Sequence, residues 1–236
     1  MGKLTIEAIA GCVIIYRVCD PSQIFMERKS DNYPLRVFRK HLCPFGGKWG
    51  GNEAKKDRNT KDTVIRELTE ELEFSPLALP HPADIKHFAD LKATIVNQLV
   101  PFGDFLLNIP AAVFQKADPE SKRPDWVSLA SYWIAGLSDA DWATLKTLQS
   151  IYGNLCNEGA STLVSLNKIL ETGIPFSWGS DRVIKAFWLR QGIEIASCLP
   201  LLPGIGVWRL RNEPLGSYRE YLDYYDVSHK PSRPSM

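Results

Sequence analysis

Histidine is scarce in this chain, four residues among 236, and the five cysteines are odd in number. Without a C-x-x-C pair or a recurring Cys/His spacing, a zinc finger, a thioredoxin-type redox pair and a disulfide framework all lack their sequence basis. His41 beside Cys43 imitates half a zinc site, but two further ligands at a recognisable spacing are missing. Cys12, Cys19, Cys43, Cys156 and Cys198 read instead as buried thiols of a reducing compartment, so the expected location is cytoplasmic. An excess of charge is lacking too. Lys plus Arg (28) nearly cancels Asp plus Glu (27), for a formal charge of +1, and no extensive nucleic-acid surface is expected. Nor is there a long hydrophobic run: Ala8 to Tyr16 is shorter than a membrane span and carries no cleavage-site pattern. Ile6 stands where a myristoylation signal needs Ser or Thr. Repeats and low-complexity tracts are also missing, and Gly204-Ile205-Gly206 lacks the third glycine of a dinucleotide fingerprint.

What is present suits a folded core, with 44% hydrophobic residues. Prolines and glycines are scattered and mark no linker, so we expect one domain over 1–228 and a frayed tail over 229–236. Strand-length, β-branched segments run over Leu4 to Val18, Gln23 to Glu27, Leu35 to Leu42, Ile85 to Val100, Phe105 to Phe114 and Ser131 to Leu137. Between the early and late strands lies CPFGGKWGGNEAKKDRN, a glycine-rich polar loop. Helices are expected over Thr60 to Phe74, with Asn59 or Thr60 as N-cap and Pro76 as the stop, and over Asp139 to Gln149, capped by Ser138. A short strand followed by a helix start at Ser165 comes next, then a helix over Gly179 to Gln191 with Ser180 as N-cap.

The first of these helices carries the chemistry. Successive residues advance by about 100°, so Val64, Ile65, Leu68 and Leu72 form an apolar face, and Glu67, Glu70 and Glu71 share a neighbouring arc. Carboxylates spaced i, i+3 and i+4 repel by a few tenths of a kcal/mol per pair even in water. A hard divalent cation turns that repulsion into ligation, because magnesium takes oxygen ligands and retains waters for exchange with phosphate oxygens. An isolated acidic string is more often a solvated helix face, and the upstream glycines are what distinguish this one.

Gly47-x5-Glu53 followed by Arg66-Glu67-Leu68-Thr69-Glu70-Glu71 resembles the Nudix box, G-x5-E-x7-R-E-U-x-E-E-x-G-U with U apolar. Phe74 supplies the last apolar position, and Glu73 stands where the family has glycine. Between Glu53 and Arg66 this chain has AKKDRNTKDTVI, five residues more than the family spacing. The resemblance implies an α/β fold, a Nudix-like α/β/α sandwich with a mixed β-sheet. It also implies a pyrophosphohydrolase that cleaves a phosphoanhydride of a nucleoside diphosphate linked to another moiety, with Mg2+ or Mn2+ as cofactor. Glu67, Glu70, Glu71 and the carbonyl of Gly46 are the implied metal ligands, and Glu67 doubles as base. Arg66 orients the box by pairing with an acidic neighbour such as Glu53, while Gly47 and Lys48 face the substrate phosphates. Glu158, in a late Asn-Glu-Gly turn, is the candidate additional ligand or base. Phe45, Trp49 or another tryptophan is a candidate for stacking on a base. The expected partner is a small-molecule nucleotide-type diphosphate; no membrane partner is expected, and a homodimer stays open. The rival reading is a Nudix-fold module that binds a nucleotide without cleaving it, and the intact late-box glutamates favour the hydrolase.

Overall fold

Alternating apolar residues in the first thirty positions build a long β1 (Thr5–Arg17) that turns back into β2 (Asp20–Arg28). The structure, a computed structural model, describes residues 5–34, 38–49, 57–72, 80–95, 126–193 and 205–209, without the side chains of 5–8, 92–95, 126–128 and 205–209. Two short strands follow, β3 (Leu42–Cys43) and β4 (Phe45–Lys48), then helix α1 (Thr60–Glu71). The order continues β5 (Lys86–Ile95), β6 (Trp126–Leu137), α2 (Asp139–Tyr152), β7 (Ala160–Ser165), α3 (Leu166–Thr172), α4 (Ser180–Arg190) and β8 (Ile205–Arg209).

The strands form one mixed sheet in the order β3-β2-β1-β6-β5-β8, with β4 added to β1 and β7 to β2. Its centre is the parallel pair β1 and β6, which places Gly11 opposite Ser131 and Val13 opposite Trp133. The remaining pairings are antiparallel.

Side chains alternate across a strand, and both faces here are apolar. Val13, Ile15 and Phe25 point to one face, where Val64 and Leu68 of α1, Leu72 just past its end, and Trp142 and Leu145 of α2 cover them. Ile14, Ile24 and Met26 point to the other, under Ile169 of α3 and Val183, Ile184, Phe187 and Trp188 of α4. The fold is therefore an α/β/α sandwich around a mixed sheet. No helix among the described residues is long and apolar enough to cross a membrane.

Several local expectations need correction. Phe38 to Lys40 is helical turn rather than strand, and Lys40 takes a left-handed φ of 62°; of the expected Leu35 to Leu42 strand, residues 35–37 lie outside the described residues and, among those described, only Leu42 pairs in the sheet. Helix α1 ends at Glu71, with Leu72 extended and bridged to Cys156, so tertiary pairing stops the helix before Pro76 can. The N-cap of α4 is Gly179, in the left-handed region, and Ser180 is its first helical residue. Cys43 and Cys156 are buried as expected, but Cys12 is half-buried and Cys19 is exposed, its thiol donating to Asp139 at 2.7 Å. The expected strand over Phe105 to Phe114 and the tail 229–236 lie outside the described residues.

Candidate functional site

The site begins where β4 meets α1. Asn59 caps the helix, its side-chain oxygen accepting from the amides of Lys61 and Asp62 at 2.9 and 3.0 Å, which satisfies two otherwise orphaned donors. Val64 and Leu68 then anchor α1 on the sheet, and this fixes the direction of the acidic arc.

Beside that arc runs the glycine segment of β4. Gly46 has φ of 143°, and a Cβ there would overlap the backbone of Gly11 on β1. Gly47 has a different constraint: a Cβ would overlap the carboxylate of Glu67. The second glycine thus leaves room for a carboxylate against bare backbone. Lys48 is exposed, and its carbonyl accepts from Arg66 Nη2 at 3.1 Å.

Arg66 joins the parts. Its Nη1 donates to Glu67 at 2.6 Å and to Glu70 at 3.0 Å. Nε and Nη2 donate to Asp57, the closest approach being 2.9 Å. Asp57 is buried and also accepts from the Thr63 hydroxyl at 2.9 Å, while the Trp49 indole donates to its carbonyl at 3.0 Å. Among the described residues the acidic partner of Arg66 from outside α1 is Asp57; Glu53, the expected one, lies outside them. Asp57 stands nine positions before Arg66 with eight residues between them, one more than the family's x7, so four of the five extra residues fall upstream of the acid. The three strong contacts with Asp57, foremost, and those with Glu67 raise the Arg66 pKa still further.

Glu71 is half-buried where Glu70 is exposed. Its Oε2 is buried without a hydrogen-bond partner, and burial first, then the charge of Glu27, pushes its carboxyl up to about 8. Glu67 and Glu158 add to the same effect, which locates Glu158, exposed in its turn, within electrostatic reach of Glu71. The turn itself is fastened to α1: the Asn157 side chain donates to the Glu70 carbonyl at 2.6 Å, and its amide to the Glu71 carbonyl at 2.9 Å.

Sequence reasoning missed Glu27 and Lys29. They form a buried ion pair between β2 and the residue that follows its end, with side chains only 4% and 9% exposed, and the Glu27 carboxylate packs against the backbone of Gly159. Burial alone would lower the Lys29 pKa, but Cys43 and Glu27 outweigh it and hold the amine charged. The aromatic candidates Phe45 and Trp49 are 0% and 5% exposed, so neither presents a face for stacking.

An uncompensated, buried carboxylate oxygen flanked by further carboxylates is the donor set of a hard divalent cation, and on that chemistry these residues fit magnesium or manganese. Among the described residues no three acidic, thiol or imidazole groups already converge as a metal-holding set; Glu67 and Glu70 are paired with Arg66.

No protein-family model matches this chain, and no curated protein matches it. Solved structures similar to it include the NUDIX domain of Shewanella oneidensis NrtR complexed with ADP ribose, at 12% identity over 81% of this chain and 90% of that chain, with a TM-score of 0.42. Another is a MutT protein from Bacillus halodurans, at 15% identity over 88% and 99% of the two chains and a TM-score of 0.41. A third is the E. coli dihydroneopterin triphosphate pyrophosphohydrolase, at 12% identity over 80% and 99%, with a TM-score of 0.38. What this chain has in common with Nudix proteins is the order of its box residues and an α/β/α sandwich with a mixed sheet.

Proposed function

We propose that this chain is a Nudix-type, divalent-cation-dependent hydrolase that cleaves a phosphoanhydride bond in a nucleoside diphosphate linked to another moiety. The observation that carries this reading is Glu71 Oε2, buried without a partner on the helix that also presents Glu67 and Glu70 beside the glycine strand. A buried acceptor left unsatisfied costs about 1–3 kcal/mol, and more if charged, so such a group persists where a ligand compensates it.

Glu70 and Glu71, with the Gly46 carbonyl, would hold magnesium or manganese. When bound, the cation withdraws charge from the phosphoryl oxygens and acidifies water. Glu67, seated on Gly47, takes the proton of the attacking water as an O–P bond forms and the bridging P–O bond breaks, leaving two phosphate products. Glu158 is the alternative base or further ligand. Arg66 keeps the glutamates in place by joining them to Asp57 and the Lys48 carbonyl, a supporting role, and the exposed Lys48 ammonium meets the phosphates. Within this reading the protein works in the cytoplasm on a small-molecule substrate.

The test is a panel of diphosphate compounds with magnesium, scored by release of phosphate products. Hydrolysis should vanish with chelator and fall by orders of magnitude in Glu70→Gln and Glu71→Gln while the fold is kept. Full turnover in excess chelator, or near-parental rates in both variants, overturns the assignment. Cation-dependent binding of a nucleotide without any turnover would select the non-cleaving module instead.

A further inference from the structure

Among the described tryptophan side chains Trp178 is the one that is half-buried; Trp133, Trp142 and Trp188 are buried in the two cores, and Trp49 is buried as well. Its backbone is unusual as well. Trp178 has φ of 56° and the following Gly179 has φ of 72°, so a bulky residue occupies the left-handed region where glycine or asparagine would be at ease. Strain of that kind persists when the surroundings impose it, and it clusters at ligand clamps.

The surroundings are an aromatic ledge. Phe38, buried, lies under Trp178 with ring centroids 4.2 Å apart and planes at 38°. Burial raises the pKa of Tyr33, itself half-buried, and the neighbouring Trp178 indole opposes that shift. Ser177 locks the preceding backbone, its amide donating to the Leu42 carbonyl at 2.9 Å. From Tyr33 the contacts lead to the carboxylates: Lys29 Nζ lies 5.0 Å from the Tyr33 ring centroid, is paired with Glu27, and both act electrostatically on Glu71.

We infer that Trp178 and Tyr33 form the ledge on which the aromatic base of a nucleoside diphosphate stacks, with Lys29 and Glu27 bridging the ledge to the carboxylates of α1. This deepens the proposed function and rests on it. Stacking on a fixed indole is tolerant of base identity, because every base has a π-face. The ledge therefore selects for a base-bearing diphosphate over a bare one without choosing among bases.

The experiment compares the binding of α,β-methylene ADP with that of methylenediphosphonate, both resistant to cleavage, in the presence of magnesium. Trp178→Gly removes the ring and suits the positive φ; it should raise the Kd for α,β-methylene ADP by at least about fivefold and leave methylenediphosphonate unchanged. Trp178→Phe keeps an aromatic face and should bind the nucleotide within about threefold of the parent, yet lose the quenching of tryptophan fluorescence that the nucleotide causes. The same loss of quenching serves if Trp178→Gly does not fold. Equal weakening of both ligands, no weakening of either, or quenching that survives in Trp178→Phe overturns the ledge. If the parent binds methylenediphosphonate only while Glu70 is intact, but binds α,β-methylene ADP no better, the ledge fails and the proposed function stands. If Glu70→Gln changes neither binding nor turnover, the proposed function itself fails, and the ledge with it.

Discussion

Arg66 and Asp57 are the pair on which the acidic helix is squared to the glycine strand: three nitrogen-to-oxygen contacts join them, the closest at 2.9 Å, and the same guanidinium holds Glu67, Glu70 and the Lys48 carbonyl. The Asp57 side chain is 4% exposed and that of Arg66 16%, so the pair is shielded from the screening that makes surface pairs nearly worthless.

Removing one member of such a pair strands the other. Asp57→Ala should cost about 3 kcal/mol and lower the melting temperature by roughly 6 to 12 °C. Because Arg66 would then relax, Glu67 and Glu70 should lose their common orientation and activity should fall as well. A variant melting within about 2 °C of the parent would show that Asp57 does not carry the box.

The two glycines of β4 should respond differently to the same change. In Gly46→Ala the new methyl meets fixed backbone of Gly11 at a positive φ, and a loss of about 3 kcal/mol or failure to fold is expected. In Gly47→Ala the methyl meets only the end of the Glu67 side chain, which can swing away. That variant should melt within a few degrees of the parent but lose most of its activity. Equal activity in Gly47→Ala and the parent would remove Glu67 from the reaction.

Cation binding should release a proton. With its pKa near 8, the Glu71 carboxyl is mostly protonated at neutral pH in the metal-free protein, and only the carboxylate is a good ligand. Calorimetry of manganese binding in buffers of different ionisation enthalpy should report close to about one proton released at pH 7, falling toward zero above roughly pH 9. Apparent affinity should accordingly rise with pH up to about 8 and then level off. A pH-independent affinity between 6 and 9 would contradict this, and Glu71→Gln should abolish the proton release.

Asp181, buried at the start of α4, gives a prediction away from the site. Burial, the largest influence, pushes its carboxyl up to about 6, and Oδ2 has no hydrogen-bond partner. A carboxyl whose pKa is higher in the fold than in the unfolded chain stabilises the fold at low pH; that contribution is lost as pH rises from about 4 through about 6. Asp181→Asn, which mimics the protonated form, should therefore stabilise the protein at pH 8 by up to about 3 kcal/mol and much less at pH 4. Thermal melts of the pair across that range decide it, and a destabilised variant at pH 8 would refute the assignment.

Local chemistry made α1 legible in advance. Asn59, Asp62 and the spacing of Val64, Leu68 and Leu72 announce a helix start and an inward face, and the acidic arc follows from geometry alone. Its end was misjudged because Leu72 is claimed by Cys156, a partner far along the chain. The strand expected at Leu35 to Leu42 rests on a strand-length apolar segment, which does not distinguish a strand from a turn buried by its neighbours, as Phe38 is under Trp178. Asp57 was invisible for another reason: within the polar string AKKDRN nothing marks one charge as buried. Glu27 and Lys29 sit in a strand pattern where charge usually means solvent, whereas here helices and the Gly159 turn cover that face.

The parallel pairing of β1 with β6 has a consequence for how the protein is made. Thr5 lies opposite Trp126 and Arg17 opposite Leu137, so the strand synthesised first waits for one synthesised much later, and the glycine strand and acidic helix both emerge in between. Until β6 leaves the ribosome, β1 keeps an unpaired, β-branched edge of the kind that recruits other chains. Closing so wide a loop is also slow compared with forming α1 or the β1–β2 hairpin. The nascent chain thus carries its carboxylates early but completes their setting late, and the Asn157 turn that fastens the end of α1 comes later still.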